Sequence, residues 1–283
     1  MRIFHLLVVV VTIALFSCKK DEPQSDPNAA KIEYNVSYGN DPQQKMDIYL
    51  PANRSTSATK LFIYIHGGGW VAGDKADFGG AYPILNATLE NYAFISMNYR
   101  LCDTVANTNK FPAQETDVIT AINFIKSKLG EWRISNKAVI CGASAGGHLA
   151  LLHGYKNNND QFIRGIINYF GPTHMDSLYP YSGFTSSLLN EVIGGPPAQE
   201  PALYYSSSPV NYITASSIRT ITFHGVNDIV VPIEQSELLQ QTLLDNGIMH
   251  EFEHYPNEGH GFSQPITAHS VVRIKEFLDI VNP

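Results

Sequence analysis

The chain has 283 residues, 44% of them hydrophobic, 11% aromatic and 16% charged, with 21 Gly and 16 Pro. That composition belongs to a folded globular protein with enough chain for a sizeable core, and it excludes collagen-like, coiled-coil and disordered classes. Nineteen Lys and Arg against 26 Asp and Glu give a net charge of −7, so no basic field draws phosphate backbones and nucleic acid is not expected as a partner.

Met1 and Arg2 open the chain, an apolar run from Ile3 to Phe16 follows, and Ser17-Cys18-Lys19-Lys20-Asp21-Glu22 comes next. The run is shorter than the roughly 20 residues a membrane-spanning helix needs, so residues 1–17 read as an export signal. Leu15-Phe16-Ser17-Cys18 resembles the lipobox of bacterial lipoproteins, in which the signal is cut before Cys and that Cys is acylated. The resemblance implies lipidation at Cys18, membrane contact only through that N-terminal anchor, and a place in the cell envelope of a Gram-negative bacterium. Lys20-Asp21-Glu22 is similar to the tag of lipoproteins displayed on the outer membrane surface; a plain cleaved signal is the alternative. Residues 18–30 read as a flexible tether, and 31–283 as the folded domain.

Ile32 to Ser37 and Met46 to Leu50 are expected as two outer strands, the second turning Met46, Ile48 and Leu50 inward before Pro51. Leu61 to Ile65, Ala93 to Met97, Ala138 to Cys141, Ile163 to Tyr169 and Ile218 to Phe223 are near-continuous apolar runs, the signature of strands covered on both faces. Helical spacing marks Ala113 to Leu129, Ser144 to Tyr155 and Ile233 to Asn246, the last closed by Gly247. Met249 to Tyr255 completes the strands and Val271 to Ile280 the helices. Strands alternating with helices predict an α/β fold with a largely parallel sheet. Gly171 to Ser217 breaks the rhythm, with a helical pattern only near Phe184 to Ile193, and reads as a lid or pocket wall.

Gly142-Ala143-Ser144-Ala145-Gly146 follows one of these strands and opens a helix, the tight strand-to-helix turn that Gly-x-Ser-x-Gly needs to expose a nucleophilic hydroxyl. Glycines at 142 and 146 remove side chains where the backbone doubles back. His66-Gly67-Gly68-Gly69-Trp70, after the strand 61–65, is the rarer pattern by composition. Its Gly68 and Gly69 amides, with that of Ala145, are expected to form an oxyanion hole; the Trp70 amide is the alternative to Gly68. A serine hydroxyl needs an imidazole to take its proton and a carboxylate to orient that imidazole. Asp228, after the strand ending at Phe223, and His260, in Glu258-Gly259-His260-Gly261-Phe262, complete the order Ser, acid, His; Asp176 and Glu258 are the other candidate carboxylates.

Of the ten histidines, His224 reads as a structural strand-end residue, His254 as part of the last strand and His148 as buried one turn after Ser144. Arg100 and Asp117 read as a structural ion pair, Asp74 and Lys75 as a solvated turn, with shaping of the pocket mouth as the alternative. Tyr169, Phe170, Tyr179, Tyr181, Phe184, Tyr204, Tyr205 and Tyr212 cluster around the 171–217 stretch and either stack on an aromatic acyl group or pack that stretch onto the core. Cys18, Cys102 and Cys141 form no metal-binding spacing, and neither a metal nor a cofactor is expected.

Together these residues resemble the α/β-hydrolase superfamily, and more narrowly the esterases with a His-Gly-Gly-Gly-Trp motif: the feruloyl-esterase-like group, close to hormone-sensitive-lipase-like esterases and kynurenine formamidases. The resemblance runs from about Met46 to the C-terminus and includes Asn98-Tyr99-Arg100-Leu101 and Phe111-Pro112-Ala113-Gln114. It implies an eight-stranded, mostly parallel sheet and a cofactor-free serine hydrolase acting on acetyl, feruloyl or other small-acid esters, a small-molecule or oligosaccharide ester being its partner. It also implies that the strand of Cys141 lies beside 61–65 rather than beside the strand leading to Cys102, which argues against a Cys102 to Cys141 disulfide. Two other readings remain open: a serine exopeptidase of the prolyl-oligopeptidase type, disfavoured by the short stretch before Met46, and a glycan-binding surface lipoprotein without turnover.

Overall fold

The computed structural model describes Asp26 and residues 28–282. The segment read as an export signal, the expected lipidation site at Cys18 and most of the expected 18–30 tether lie outside the described residues. Eight strands, β1 (Lys31–Ser37), β2 (Lys45–Leu50), β3 (Lys60–Ile65), β4 (Tyr92–Met97), β5 (Ala138–Ala143), β6 (Ile163–Tyr169), β7 (Thr220–Gly225) and β8 (His250–Tyr255), form one sheet in the order β1-β2-β4-β3-β5-β6-β7-β8. β2 runs antiparallel to both its neighbours and every other pairing is parallel. The helices are α1 (Tyr82–Thr88), α2 (Ala113–Trp132), α3 (Ala145–Leu152), α4 (Met175–Leu178), α5 (Gly183–Ile193), α6 (Pro201–Ser206), α7 (Glu234–Asp245) and α8 (Gln264–Val281). This is the α/β-hydrolase fold expected from the sequence. Among the described residues no helix is long and apolar enough to cross a membrane.

Successive side chains of a strand point to opposite faces, so a strand apolar throughout serves two cores. On β3, Leu61, Ile63 and Ile65 join the core that includes Val118, Ile122, Leu149 and Leu151 of α2 and α3. Phe62 and Tyr64 enter the other, with Leu85 of α1 and Ile274 and Phe277 of α8. β5 lies beside β3, with Tyr64 opposite Cys141, and Cys102 and Cys141 are both buried free thiols.

Two expectations are corrected. β2 is the second strand, held between β1 and β4, and does not alternate: Asp47 and Tyr49 are buried along with Met46, Ile48 and Leu50. Its outward-looking face is covered by a 3-10 turn, Lys75–Gly80, whose Phe78 ring lies 6.0 Å from that of Tyr49. Residues 171–217 are largely helical, containing α4, α5 and α6. Ser182 and Thr185 form a capping box at the start of α5, Pro201 opens α6, and Leu189 and Tyr204 are fully buried. The helical pattern read near Phe184 to Ile193 is α5; α4 and α6 are too brief for a 3.6-residue pattern to reveal and depend on tertiary packing. Of the two readings, lid or pocket wall, the packing matches a wall.

The six strands β3 to β8 all run the same way, so the loops that follow β3, β5, β6, β7 and β8 emerge at one edge of the sheet. In open α/β sheets that carboxyl edge is where ligands bind.

Candidate active site

The turn from β5 into α3 holds Ser144 at φ 53°, ψ −122°. A non-glycine residue in so sparsely populated a conformation costs about 1–3 kcal/mol and persists only where its surroundings fix it. Here the Ser144 N–H donates to the Tyr169 carbonyl (2.9 Å) and its own carbonyl accepts from the His148 amide (3.0 Å). The chain doubles back so tightly that a Cβ at Gly142 would overlap the Gly146 carbonyl and one at Gly146 the Ile65 carbonyl. The strain lifts the hydroxyl out of the sheet to the N-terminus of α3, where it lines a cavity.

His260, on the loop after β8, places Nε2 2.9 Å from Ser144 Oγ and Nδ1 2.6 Å from Asp228 Oδ2. Asp228 sits on the loop after β7, buried, and its Oδ1 accepts from the Val230 (2.8 Å) and Val231 (2.9 Å) amides. Burial alone would raise its pKa. The hydrogen bonds from His224 and His260, the charge of His260 and the Val231 amide outweigh that and hold the carboxyl well below the usual carboxylate range. The sequence-predicted Ser, His and Asp are thus one contiguous hydrogen-bonded row. Neither rival carboxylate takes part: Glu258 accepts from the Ser263 amide (2.8 Å) and hydroxyl (2.5 Å), and Asp176 has no bond to His260.

The loop after β3 carries Gly68, Gly69 and Trp70 along the same cavity. Among the described residues the amides of Gly68, Gly69, Trp70 and Ala145 have no acceptor within the protein. The Trp70 ring is buried and its Nε1–H donates to His148 Nδ1 (3.2 Å); His148 Nε2 faces the Ser207 carbonyl at 2.7 Å. An indole can only donate, so His148 is neutral with its proton on Nε2. It ties the glycine loop, α3 and the 171–217 segment together. Burial pushes His148 down to about 4, against the bond to Ser207, and lowers buried His153 to about 4 as well. Unfolded histidines protonate near 6.5, so both contributions to stability are complete above that pH. They are lost as pH falls towards 4, at about 1.4 kcal/mol per group per pH unit. Urea midpoints are therefore expected to be lower at pH 5 than at pH 7, with a smaller difference in His153→Gln.

The cavity measures about 440 Å³ and its walls are apolar, with Val71, Leu178, Phe184, Leu188 and Val231 facing Ser144 and His260. Only Phe170 and Phe184 of the eight aromatic residues singled out in the sequence line it. Of the others, Tyr204 is fully buried against Tyr179, Tyr169 stacks on Phe223, Tyr205 meets Tyr212, and exposed Tyr181 donates its hydroxyl to the Asp228 carbonyl (3.4 Å). Phe170, held at φ 41°, lies with its ring centroid 4.6 Å from that of His260, and no feature of the sequence announces that support. His224 is buried and structural as expected, bonded through Nδ1 to Ser236 (2.7 Å) and through Nε2 to the Val231 carbonyl (2.9 Å). Its Nε2 also lies 3.3 Å from Asp228, which the sequence reading missed. His254 lies exposed on β8.

Arg100 and Asp117 form the expected ion pair (2.7 Å), to which Gln44 adds a bond of 2.7 Å. The expectation of a solvated turn at Asp74 and Lys75 fails for Lys75. It is buried with Nζ 3.2 Å from Asp47, because the turn folds down over β2; Asp74 remains half-exposed and caps the turn.

The chain is similar to known proteins in sequence and in fold. The family model described as BD-FAE matches residues 46–243. Esterase LipC of Mycobacterium tuberculosis is 26% identical over 245 residues, covering 80% of this chain and 59% of its own. A bifunctional GH43-CE protein of Bacteroides eggerthii superposes with a TM-score of 0.77 at 27% identity, over 89% of this chain and 38% of that one. A truncated carbohydrate esterase from gut microbiota gives 0.73 at 25%, over 89% and 98%. The chain spans little more than half the length of the curated relatives it matches first.

Proposed function

The chain belongs to the BD-FAE family, and on that premise we propose that it is a carboxylic-ester hydrolase working through an acyl-enzyme on Ser144. The observation that carries the reading is the unbroken row from Ser144 Oγ through His260 to Asp228, at 2.9 and 2.6 Å. Ser144 Oγ attacks the ester carbonyl while His260 Nε2 takes its proton; the same imidazole then protonates the departing alcohol and activates the water that frees the acid. Asp228, anionic through its four donors, fixes the imidazole with Nδ1–H towards itself and stabilises the imidazolium. The Gly68, Gly69 and Ala145 amides receive the oxyanion; in studied enzymes one such donor is worth roughly 3–4 kcal/mol of barrier.

The apolar cavity supports an apolar acyl group and has room for one larger than acetyl. Names among the relatives and structural neighbours, an esterase and a carbohydrate esterase, support an ester substrate, carbohydrate esters included; we take the acyl group to be acetyl, feruloyl or similar.

The test is pre-steady-state hydrolysis of p-nitrophenyl butyrate together with labelling by a fluorophosphonate. The expected result is a burst of nitrophenolate stoichiometric with enzyme and a label on Ser144. Turnover that persists in fully labelled protein, or a label elsewhere, would overturn the reading.

A further inference from the structure

A second cavity, of about 210 Å³, opens on the face of the sheet that carries α1 and α8. Phe62 and Tyr64 of β3, Phe78 of the 3-10 turn, Leu85 of α1 and Ile274 of α8 supply its walls. Ile84, 38% exposed, and exposed Thr267 stand at its rim, which leaves an entrance between the two helices. Ala143 and Phe170 line this cavity and the first alike. The residue before the nucleophile and the ring beside His260 are therefore the partition between the two hollows.

That partition bears on the imidazole. The Phe170 ring centroid lies 4.6 Å from that of His260 and 5.4 Å from that of Phe262. Phe262, two residues beyond His260, is itself part of the second cavity's wall. In the hydrolase reading one imidazole takes a proton from Ser144 Oγ and gives it to the leaving alcohol, so the ring tilts between two oxygen atoms. The space behind Phe170 and Phe262 is the slack that such a tilt draws on.

The walls also define the occupant. Among the described residues no Lys, Arg, His, Asp or Glu lines the hollow, and a charged ligand would lose its hydration there without a counter-charge. Four lining side chains carry a polar group. The Tyr169 hydroxyl is taken by Ser270 (2.8 Å) and that of Thr267 by the Ser263 carbonyl (3.1 Å). The Tyr64 hydroxyl and the Cys141 thiol, opposite one another in the β3 to β5 register, have no hydrogen-bond partner among the described residues. Phe62, Phe78 and Phe262 offer the faces and edges that aromatic rings prefer. An apolar cavity of about 150 Å³ holds benzene, so this larger one has room for a substituted ring.

We propose that the second cavity is a binding site for a small neutral aromatic molecule bearing one hydroxyl, which pairs with Tyr64, and that its occupancy slows ester hydrolysis through Phe170 and Phe262. The slowing rests on the hydrolase reading above; the binding does not.

The experiment titrates the protein with p-fluorophenol and with fluorobenzene, which lacks the hydroxyl, and follows the fluorine resonance of each. Protein already labelled by a fluorophosphonate is used, so that the first cavity is closed. Binding of p-fluorophenol is expected to be about fivefold tighter than that of fluorobenzene, the worth of one hydrogen bond. Tyr64→Phe should erase that difference while keeping the shape of the wall. Ala81→Leu, which fills the hollow from the residue ahead of α1, should abolish binding of both. In unlabelled protein, saturating p-fluorophenol should lower kcat for p-nitrophenyl butyrate about fivefold, the small end of couplings between sites, and should leave kcat of Ala81→Leu as it is. No binding to the labelled protein, or binding that survives Ala81→Leu, would overturn the site. Binding with kcat unchanged, or a fall that persists in Ala81→Leu, would overturn the coupling to His260. Protein that takes no label and turns over no ester fails the hydrolase reading instead, and loss of binding in Ala81→Leu then still decides the site.

Discussion

Replacing Ser144 by alanine is expected to lower kcat toward p-nitrophenyl esters by about a millionfold, with the fold intact. The magnitude follows from the arrangement: Ser144 Oγ is the atom aligned with His260 Nε2, so its loss leaves only whatever the glycine-loop amides and the cavity do for direct attack by water. Residues acting as one unit are strongly non-additive, so Ser144→Ala/His260→Ala should lose little more than either single variant, whereas independent contributions would multiply. Asp228→Asn should cost less, about ten thousandfold, because the imidazole loses its orienting anion while the nucleophile and its base remain. Since Asp228 is held well below the usual carboxylate range, it stays ionised throughout mildly acidic conditions, and a decline of rate there is not its titration. Ser144→Ala is not expected to destabilise the protein, since alanine meets the same backbone strain at φ 53° that serine does. Measuring kcat alongside the urea midpoint separates these effects: a loss below a hundredfold in folded Ser144→Ala would remove the hydroxyl from the mechanism.

Much of the fold was legible because the parallel strands need no alternation to be recognised. Leu61 to Ile65 and Ile163 to Tyr169 are apolar runs bounded by breakers, and the glycines at 67–69, 142 and 146 mark where the chain must turn at the ends of such runs. Ser144, Asp228 and His260 could be named in advance since each directly follows a strand of a parallel sheet, which brings them to one edge without any knowledge of the packing. What stayed hidden was whatever depends on contacts between distant segments. Phe170 supports His260 from the loop after β6, 90 residues away along the chain by numbering, and its strained φ of 41° leaves no trace in the sequence. Within 171–217 the pattern near Phe184 to Ile193 did announce α5, whereas α4 and α6, of four and six residues, are too short for an apolar stripe to emerge. The same blindness misplaced Lys75, which looks like a solvated turn residue beside Asp74 because its partner is 28 positions earlier on β2.

That ion pair yields a large expected stability effect from a single change. Lys75 Nζ and Asp47 Oδ1 are 3.2 Å apart with side chains only 8% and 4% exposed, and the next carboxylate, Asp74, is 3.9 Å away and half in solvent. Asp47→Ala would leave a buried ammonium with only that distant anion, and removing one partner of a buried pair costs about 3–5 kcal/mol. An exposed pair would cost under about 1 kcal/mol, so the size of the loss distinguishes the two environments. The consequence reaches the site, since Lys75 ends the stretch that begins with the glycine loop, and its carbonyl is held by the Ser96 hydroxyl at 2.7 Å. Losing the charge pair releases the far end of that stretch from β2 and leaves it tied to β4 through the Ser96 bond. Asp47→Leu/Lys75→Met, which fills the volume without charge, should recover most of the stability. The one bond it cannot restore is that from the Asn35 amide to Asp47 (2.8 Å), and Asn35 is exposed enough for water to take its place. Urea unfolding of the three proteins decides the matter: a double variant as unstable as Asp47→Ala would show that the charge, and not the burial of an unpaired ammonium, sets the cost.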